Sequence, residues 1–95
     1  MQRYWLYILR CGDNSLYVGH TDNLETRIAQ HHAGIFGGHT SRSGPLTLVY
    51  TCDFGTRTQA LERERQIKRW TRAKKEALIR GDWDRLRQLA RSRSS

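Results

Sequence analysis

Apolar and polar positions along the chain follow two periods, one near two residues at the start and one near three to four further on. Residues 4–10 (YWLYILR) are rich in aromatic and β-favouring types and predict a strand. Within it Tyr7 alternates with Trp5 and Leu9, so these three share a face. Residues 11–15 (CGDNS) are a turn cluster, and residues 16–19 (LYVG) read as a second short strand, so the two pair as a hairpin. Asp22, with Glu25 three residues on, reads as a capping box for a helix that continues through Leu24, Ile28 and Ala29 and stops near Gly34. Residues 34–45 (GIFGGHTSRSGP) predict a loop, and residues 46–52 (LTLVYTC) a third strand.

Thr56 with Gln59, or Thr58 alone, caps a second long helix reaching about Trp70. Thr71 caps a third over residues 72–80, and Gly81-Asp82 breaks it. Trp83, Leu86, Leu89 and Ala90 give a final amphipathic turn or two, followed by a polar tail at residues 91–95 that is expected to fray. No internal repeat is visible. The order ββαβαα with an extra C-terminal helix predicts an α/β chain of the α+β type: a small three-stranded sheet packed against helices. Residues 1–90 make one domain.

Some polar residues fall where the pattern asks for apolar ones. At about 100° per residue, Glu64 lies about 60° from Leu61 and inside the apolar stripe that includes Ala60 and Ile67. An isolated carboxylate there loses solvation, so it needs a cation, a metal or a cleft. The plainer reading is a stripe-edge glutamate paired with Lys68 at i,i+4. In the first helix Arg27 and His31 form an i,i+4 pair beside the seam set by Leu24 and Ile28. A snorkelling arginine and a C-terminal histidine explain that pair without chemistry. Tyr7 and Tyr17 are strand tyrosines, most simply amphipathic core, whose hydroxyls can also face a cleft with Arg27 and Glu64.

Composition narrows the setting. Ninety-five residues hold one core, and 37% hydrophobic residues disfavour disorder. Seventeen Lys+Arg against nine Asp+Glu leave +8, which favours a polyanionic partner, nucleic acid before membrane. There is no bilayer-length apolar run, no signal-peptide pattern, and no paired spacing for Cys11 and Cys52. The expectation is a soluble cytoplasmic domain with reduced thiols.

The ordered set Leu6-Tyr7-Ile8, Tyr17-Val18-Gly19, Asn23-Leu24, Arg27 and His31, then Ala60-Leu61, Glu64 and Gln66-Ile67-Lys68, resembles the GIY-YIG endonuclease superfamily. Residues 70–79 (WTRAKKEALI) resemble its small stand-alone bacterial branch, often called YhbQ-like. The resemblance covers nearly the whole chain, from Tyr4 to Trp83. It implies a three-stranded antiparallel sheet flanked by helices, with a metal-dependent phosphodiesterase site on one face. By position Tyr7 and Tyr17 match the tyrosines of the two motifs, Arg27 the helix arginine, and His31 a histidine of many branches. Glu64 matches the single carboxylate that binds a divalent metal, Mg²⁺ or Mn²⁺. Trp5 replaces the first motif's glycine. His20 stands where excision-repair relatives have a lysine, and His39 lies near a position where branch relatives carry a tyrosine.

The chemistry suits those residues. A hard cation is satisfied by one carboxylate, waters and phosphate oxygens, and Arg27 offers a fork matched to phosphate. Tyr17 or Tyr7 can orient or deprotonate water if cations stand nearby, with His31 as the competing base. Zinc fits poorly, because His31 and His32 point to different helix faces. The candidate nucleic-acid contacts are His20, His39, Arg42, Lys68, Arg69, Arg72, Lys74 and Lys75. Trp70 among them would stack on a base if exposed, although its period favours burial. Two readings follow. One is a metal-dependent endonuclease acting in DNA repair or processing, with DNA favoured over RNA. The other is a catalytically weak or inactive nucleic-acid-binding domain working with a partner protein.

Overall fold

The computed structural model describes residues 2–34 and 45–94, with the side chains of residues 91–94 left aside. His39 and Arg42 lie outside the described residues. Strands β1 (Tyr4–Arg10), β2 (Leu16–Thr21) and β3 (Thr47–Phe54) form one antiparallel sheet in the order β2-β1-β3. The helices are α1 (Leu24–His32), α2 (Arg57–Lys68), α3 (Arg72–Arg80) and α4 (Trp83–Ser94). The order ββαβααα and the antiparallel sheet are those expected from the sequence.

Strand β1 is central, and its middle four residues, Leu6 to Leu9, are all buried. Alternation sends them to two separate cores. Leu6 and Ile8 pack with Val18, Ile67 and Leu78, beneath α2 and α3. Tyr7 and Leu9 pack with Cys11 and Leu46, flanked by Tyr17, Leu24 and Ile28 of β2 and α1. The sheet is therefore covered on both faces. The β1–β2 hairpin turns through Asn14, which takes a left-handed φ of 72°. Asp13 accepts from the Ser15 amide at 3.0 Å within the same turn.

Caps fix where each helix begins, and so which residues face inward. Thr56 accepts from the Gln59 amide and Thr71 from the Lys74 amide, as the sequence predicts. The first helix differs. Asn23, not Asp22, is its cap, accepting from the Thr26 amide at 3.1 Å. The Thr21 hydroxyl accepts from the Asn23 amide and holds it in the extended conformation a cap needs. Asp22 instead meets Arg57 at 3.3 Å. At the other end of the chain α4 runs to Ser94, so residues 91–94 continue the helix where a frayed tail was expected. Trp83 at its start is 55% exposed, although Leu86 reaches the core beneath.

One ion-pair network pins α3 to the sheet. Arg10 donates both guanidinium arms to Glu76, at 2.6 and 2.9 Å, and one arm also reaches Asn14 at 2.9 Å. Arg72 donates to the same carboxylate at 2.9 Å. The Arg10 fork is the main cause of a Glu76 pKa pulled from 4.5 to about 2, with Arg72 adding to it against the opposing effect of burial. A carboxyl that titrates lower folded than unfolded stabilises above its ordinary pKa and loses that contribution as pH falls. Glu76→Gln is expected to cost about 2 kcal/mol at pH 7, allowing for the partial exposure of the pair. Urea denaturation at several pH values checks this: the gap from the native chain should narrow as pH falls below 4.5.

Candidate active site

The hairpin register sets Tyr7 of β1 directly opposite Gly19 of β2. A Cβ on Gly19 would stand 2.6 Å from the Tyr7 hydroxyl oxygen, 2.8 Å from Tyr7 Cζ and 3.2 Å from Tyr17 Cε1. The bare backbone lets the Tyr7 ring lie across the edge strand and carry its hydroxyl to His31 Nε2, 2.9 Å away on α1. Tyr17 packs edge-on against the same imidazole, with ring centroids 4.9 Å apart. Tyr7 and Tyr17 lie 6.3 Å apart by the same measure.

Their protonation follows from burial. Tyr7 is 1% exposed, and desolvation pushes its pKa from 10.0 to about 12. The neighbouring Tyr17 and Glu64 add to that rise, while Arg27, hydrogen-bonded to the phenol, opposes it. His31, 2% exposed, is shifted below 6.5 by burial first and by the nearby Arg27 and His32 after it. At neutral pH the phenol is therefore protonated and the imidazole uncharged. The Tyr7 hydroxyl and His31 Nε2 share one hydrogen bond at 2.9 Å, in which an uncharged imidazole can accept the phenol proton.

The carboxylate lies on the other face. The buried residues of α2 are Ala60, Glu64 and Ile67, so an acid occupies the middle of an apolar row. Glu64 Oε1 meets His20 Nδ1 at 2.7 Å, and Oε2 meets Lys68 Nζ at 3.2 Å. Burial resists ionisation of Glu64, yet the hydrogen bonds from His20 and Lys68 outweigh it and hold the carboxyl below 4.5. His20 shares the face of Val18 by strand alternation, beneath α2, whereas Tyr7 and Tyr17 face α1. Tyr7 nevertheless feels both Arg27 and Glu64, so the two halves stand within electrostatic reach of one another around β2.

The expected residues thus fall into distinct positions. Tyr7, Tyr17, Arg27 and His31 converge, and Glu64 is inward and ionised. His20 is Glu64's hydrogen-bond partner, a role that its place after Gly19 did not suggest, although strand alternation put it on the right face. Lys68 is engaged with Glu64, Arg72 with Glu76, and Lys74 lies over the Trp70 ring at 4.4 Å from its centroid. Trp70 is half-buried against the core, and exposed Arg65 and Arg69 flank it in a shallow groove. Four of the six described candidates for nucleic-acid contact, His20, Lys68, Arg72 and Lys74, therefore already hold a partner within the protein.

The donor set suits a hard divalent ion held by one protein oxygen. Glu64 is an ionised carboxylate, and each of its oxygens keeps a lone pair after its hydrogen bond. Among the described residues no three His, Cys, Asp or Glu side chains converge, so the remaining ligands would be water and phosphate.

Gly19→Ala is expected to displace Tyr7 and destabilise the fold by about 1–3 kcal/mol. Gly55→Ala is the control, since a Cβ there comes no nearer than 4.0 Å to Gln59 Oε1. Equal denaturation midpoints for the two variants would refute the crowding argument.

The GIY-YIG catalytic domain family matches residues 3–77 of the chain. A UPF0213 protein of Staphylococcus haemolyticus is 42% identical over 79 residues, covering 83% of this chain and 96% of that protein. The solution NMR structure of the UPF0213 protein from Bacillus halodurans superposes with a TM-score of 0.55 at 36% identity, over 81% of this chain and 82% of that one. A solution NMR structure of an E. faecalis protein gives 0.60 at 30% identity, over 85% and 86%. By the match over residues 3–77 and the 42% identity to a relative covered over 96% of its length, the chain belongs to the GIY-YIG nuclease family and groups with its small UPF0213 members.

Proposed function

We propose that the protein is a divalent-metal-dependent endonuclease that hydrolyses phosphodiester bonds in nucleic acid, DNA in preference to RNA. We place it in the cytoplasm, in DNA repair or processing, with a partner protein supplying target choice. The observation that carries the reading is an ionised glutamate in the buried row of α2, within electrostatic reach of a buried tyrosine that also feels Arg27. A structural role explains the tyrosine alone, but a charge in an apolar row costs stability that a leucine there would not.

Hydrolysis needs an activated water, neutralised phosphate charge and a stabilised leaving oxygen. Mg²⁺ or Mn²⁺ bound at Glu64 supplies charge neutralisation at the phosphate. Arg27 offers parallel donors to the phosphate oxygens while its contact with Tyr7 fixes its position. Tyr7 is a hydrogen-bond donor at neutral pH, because burial places its pKa near 12. His31 accepts that hydrogen bond from within the core, 2% exposed, and so holds Tyr7 rather than touching water. Tyr17 is the more accessible of the three rings, and we assign it the attacking water.

A nuclease panel with Mg²⁺, Mn²⁺ and chelator, across duplex, flap and single-stranded DNA and RNA, tests the reading. Glu64→Ala and Glu64→Gln should abolish cleavage while nucleic-acid affinity measured in chelator stays within about twofold, and Arg27→Ala should lower the rate by about 10²–10³. Cleavage persisting in rigorously purified Glu64 variants would sink the assignment. Binding with no metal-dependent cleavage on any substrate would favour an inactive binding domain instead.

Salt separates phosphate contact from other modes of binding. If about four phosphates of duplex DNA are neutralised, log K should fall against log[salt] with a slope near −3.6. A flat response in a fluorescence-anisotropy titration would contradict a phosphate partner.

A further inference from the structure

Glu64 is covered by a cation that belongs to the protein. Its carboxylate is recessed, with the side chain 12% exposed, and Lys68 reaches it from solvent with a side chain 54% exposed. The ammonium sits 3.2 Å from Oε2, while His20 holds Oε1 at 2.7 Å. His20 approaches from β2 beneath the helix, and Lys68 approaches from one turn further along α2. Of the two contacts, the His20 bond is the shorter and the more buried. The Lys68 contact is an exposed i,i+4 pair, a weak and readily exchanged kind of interaction.

A divalent ion at Glu64 must approach an oxygen from the solvent side, where Lys68 now stands. Two cations packed on one carboxylate oxygen repel strongly at such separations. The lysine must therefore swing away for the ion to load. Its four-carbon stem lets it do so, and a phosphate of the bound nucleic acid is the natural new partner for the ammonium.

We propose that Lys68 is a tethered counter-ion of Glu64 that keeps divalent metal weakly bound until a nucleic-acid phosphate draws the ammonium away, so that metal and substrate load together. The proposal rests on Glu64 being the metal ligand. Lys68 is then a positioning residue that couples two ligands, and linkage requires the coupling to run both ways: metal tightens nucleic acid as nucleic acid tightens metal. A direct phosphate–metal bond also couples the two ligands. The mark of the lysine is therefore a change in metal affinity with no nucleic acid present.

Mn²⁺ binding to the full chain, read from the electron paramagnetic resonance signal of free Mn²⁺, tests this without any activity. Lys68→Met should bind Mn²⁺ about two- to fivefold more tightly than the native chain, because it removes a weak competing pair. Lys68→Arg should stay near the native value, since it keeps a cation within reach. A short oligothymidine should tighten Mn²⁺ binding more in the native chain than in Lys68→Met, and its uncharged methylphosphonate analogue should tighten neither. Lys68→Met equal to or weaker than native, with Glu64→Gln abolishing binding, overturns the counter-ion role and leaves the metal ligand standing. Glu64→Gln binding Mn²⁺ as well as the native chain removes Glu64 as the ligand, and this proposal falls with it. Far-ultraviolet circular dichroism of each variant ensures that a folded protein is compared.

Discussion

The site depends on the close passage of Tyr7 over Gly19. Strand β1 is covered on both faces, so a tyrosine in its middle has a polar end that must find a partner inside the protein. The ring lies across β2, where a Cβ at position 19 would fall 2.6 Å from the hydroxyl oxygen, so glycine is the residue that leaves it room. Everything that defines the α1 half follows from that direction. The hydroxyl arrives at His31, the charge of Arg27 acts on the same phenol, and Tyr17 closes against the imidazole. A chain of buried polar groups is held without an orphan, and no buried side-chain nitrogen or oxygen among the described residues lacks a partner.

The α2 half obeys a different constraint. Ala60, Glu64 and Ile67 form the buried row, and the cap at Thr56 sets the phase that turns this row inward. A charged group in that row needs compensation close by. His20 gives it from the sheet beneath, and Lys68 from the helix itself. The two halves are thus stabilised by separate partners, and longer-range charge links them. Tyr7 registers Glu64 as a like-signed neighbour of its own phenolate, and Arg27 as the opposing charge.

Much of this was legible in the pattern. The alternation around Tyr7 and the helical phase of Glu64 are local properties, and local periodicity decides them. The i,i+4 pair of Glu64 with Lys68 and the inward carboxylate read from sequence as rival explanations, yet the structure has both at once. A lysine stem is long enough to reach a recessed oxygen from an exposed position. The cap of α1 was not legible, because Asp22 and Asn23 are both good capping residues and the choice is made by the Thr21 hydroxyl on the Asn23 amide. The pairing of His20 with Glu64 spans 44 residues, and that of Arg10 with Glu76 spans 66. Strand alternation gives the face of each but cannot name a partner that only tertiary packing brings near.

The surplus of eight positive charges takes on a sharper meaning once these pairs are known. Pairing Lys68 with Glu64 and Arg72 with Glu76 leaves the net charge unchanged, so the long-range field that draws a polyanion to the protein is intact. Short-range contact is another matter, because a cation already bonded to a carboxylate must exchange partners before it can hold a phosphate. Arrival and docking are therefore governed by different residues. The whole basic surface serves arrival. Under the proposed function, docking would draw first on Arg65 and Arg69, exposed beside Trp70, and would engage Lys68 only at the expense of its hold on Glu64. Phosphate contacts of that kind would carry no base information. Under the proposed function, discrimination between targets would then fall to the geometry around Tyr17, Arg27 and Glu64, or to a second protein.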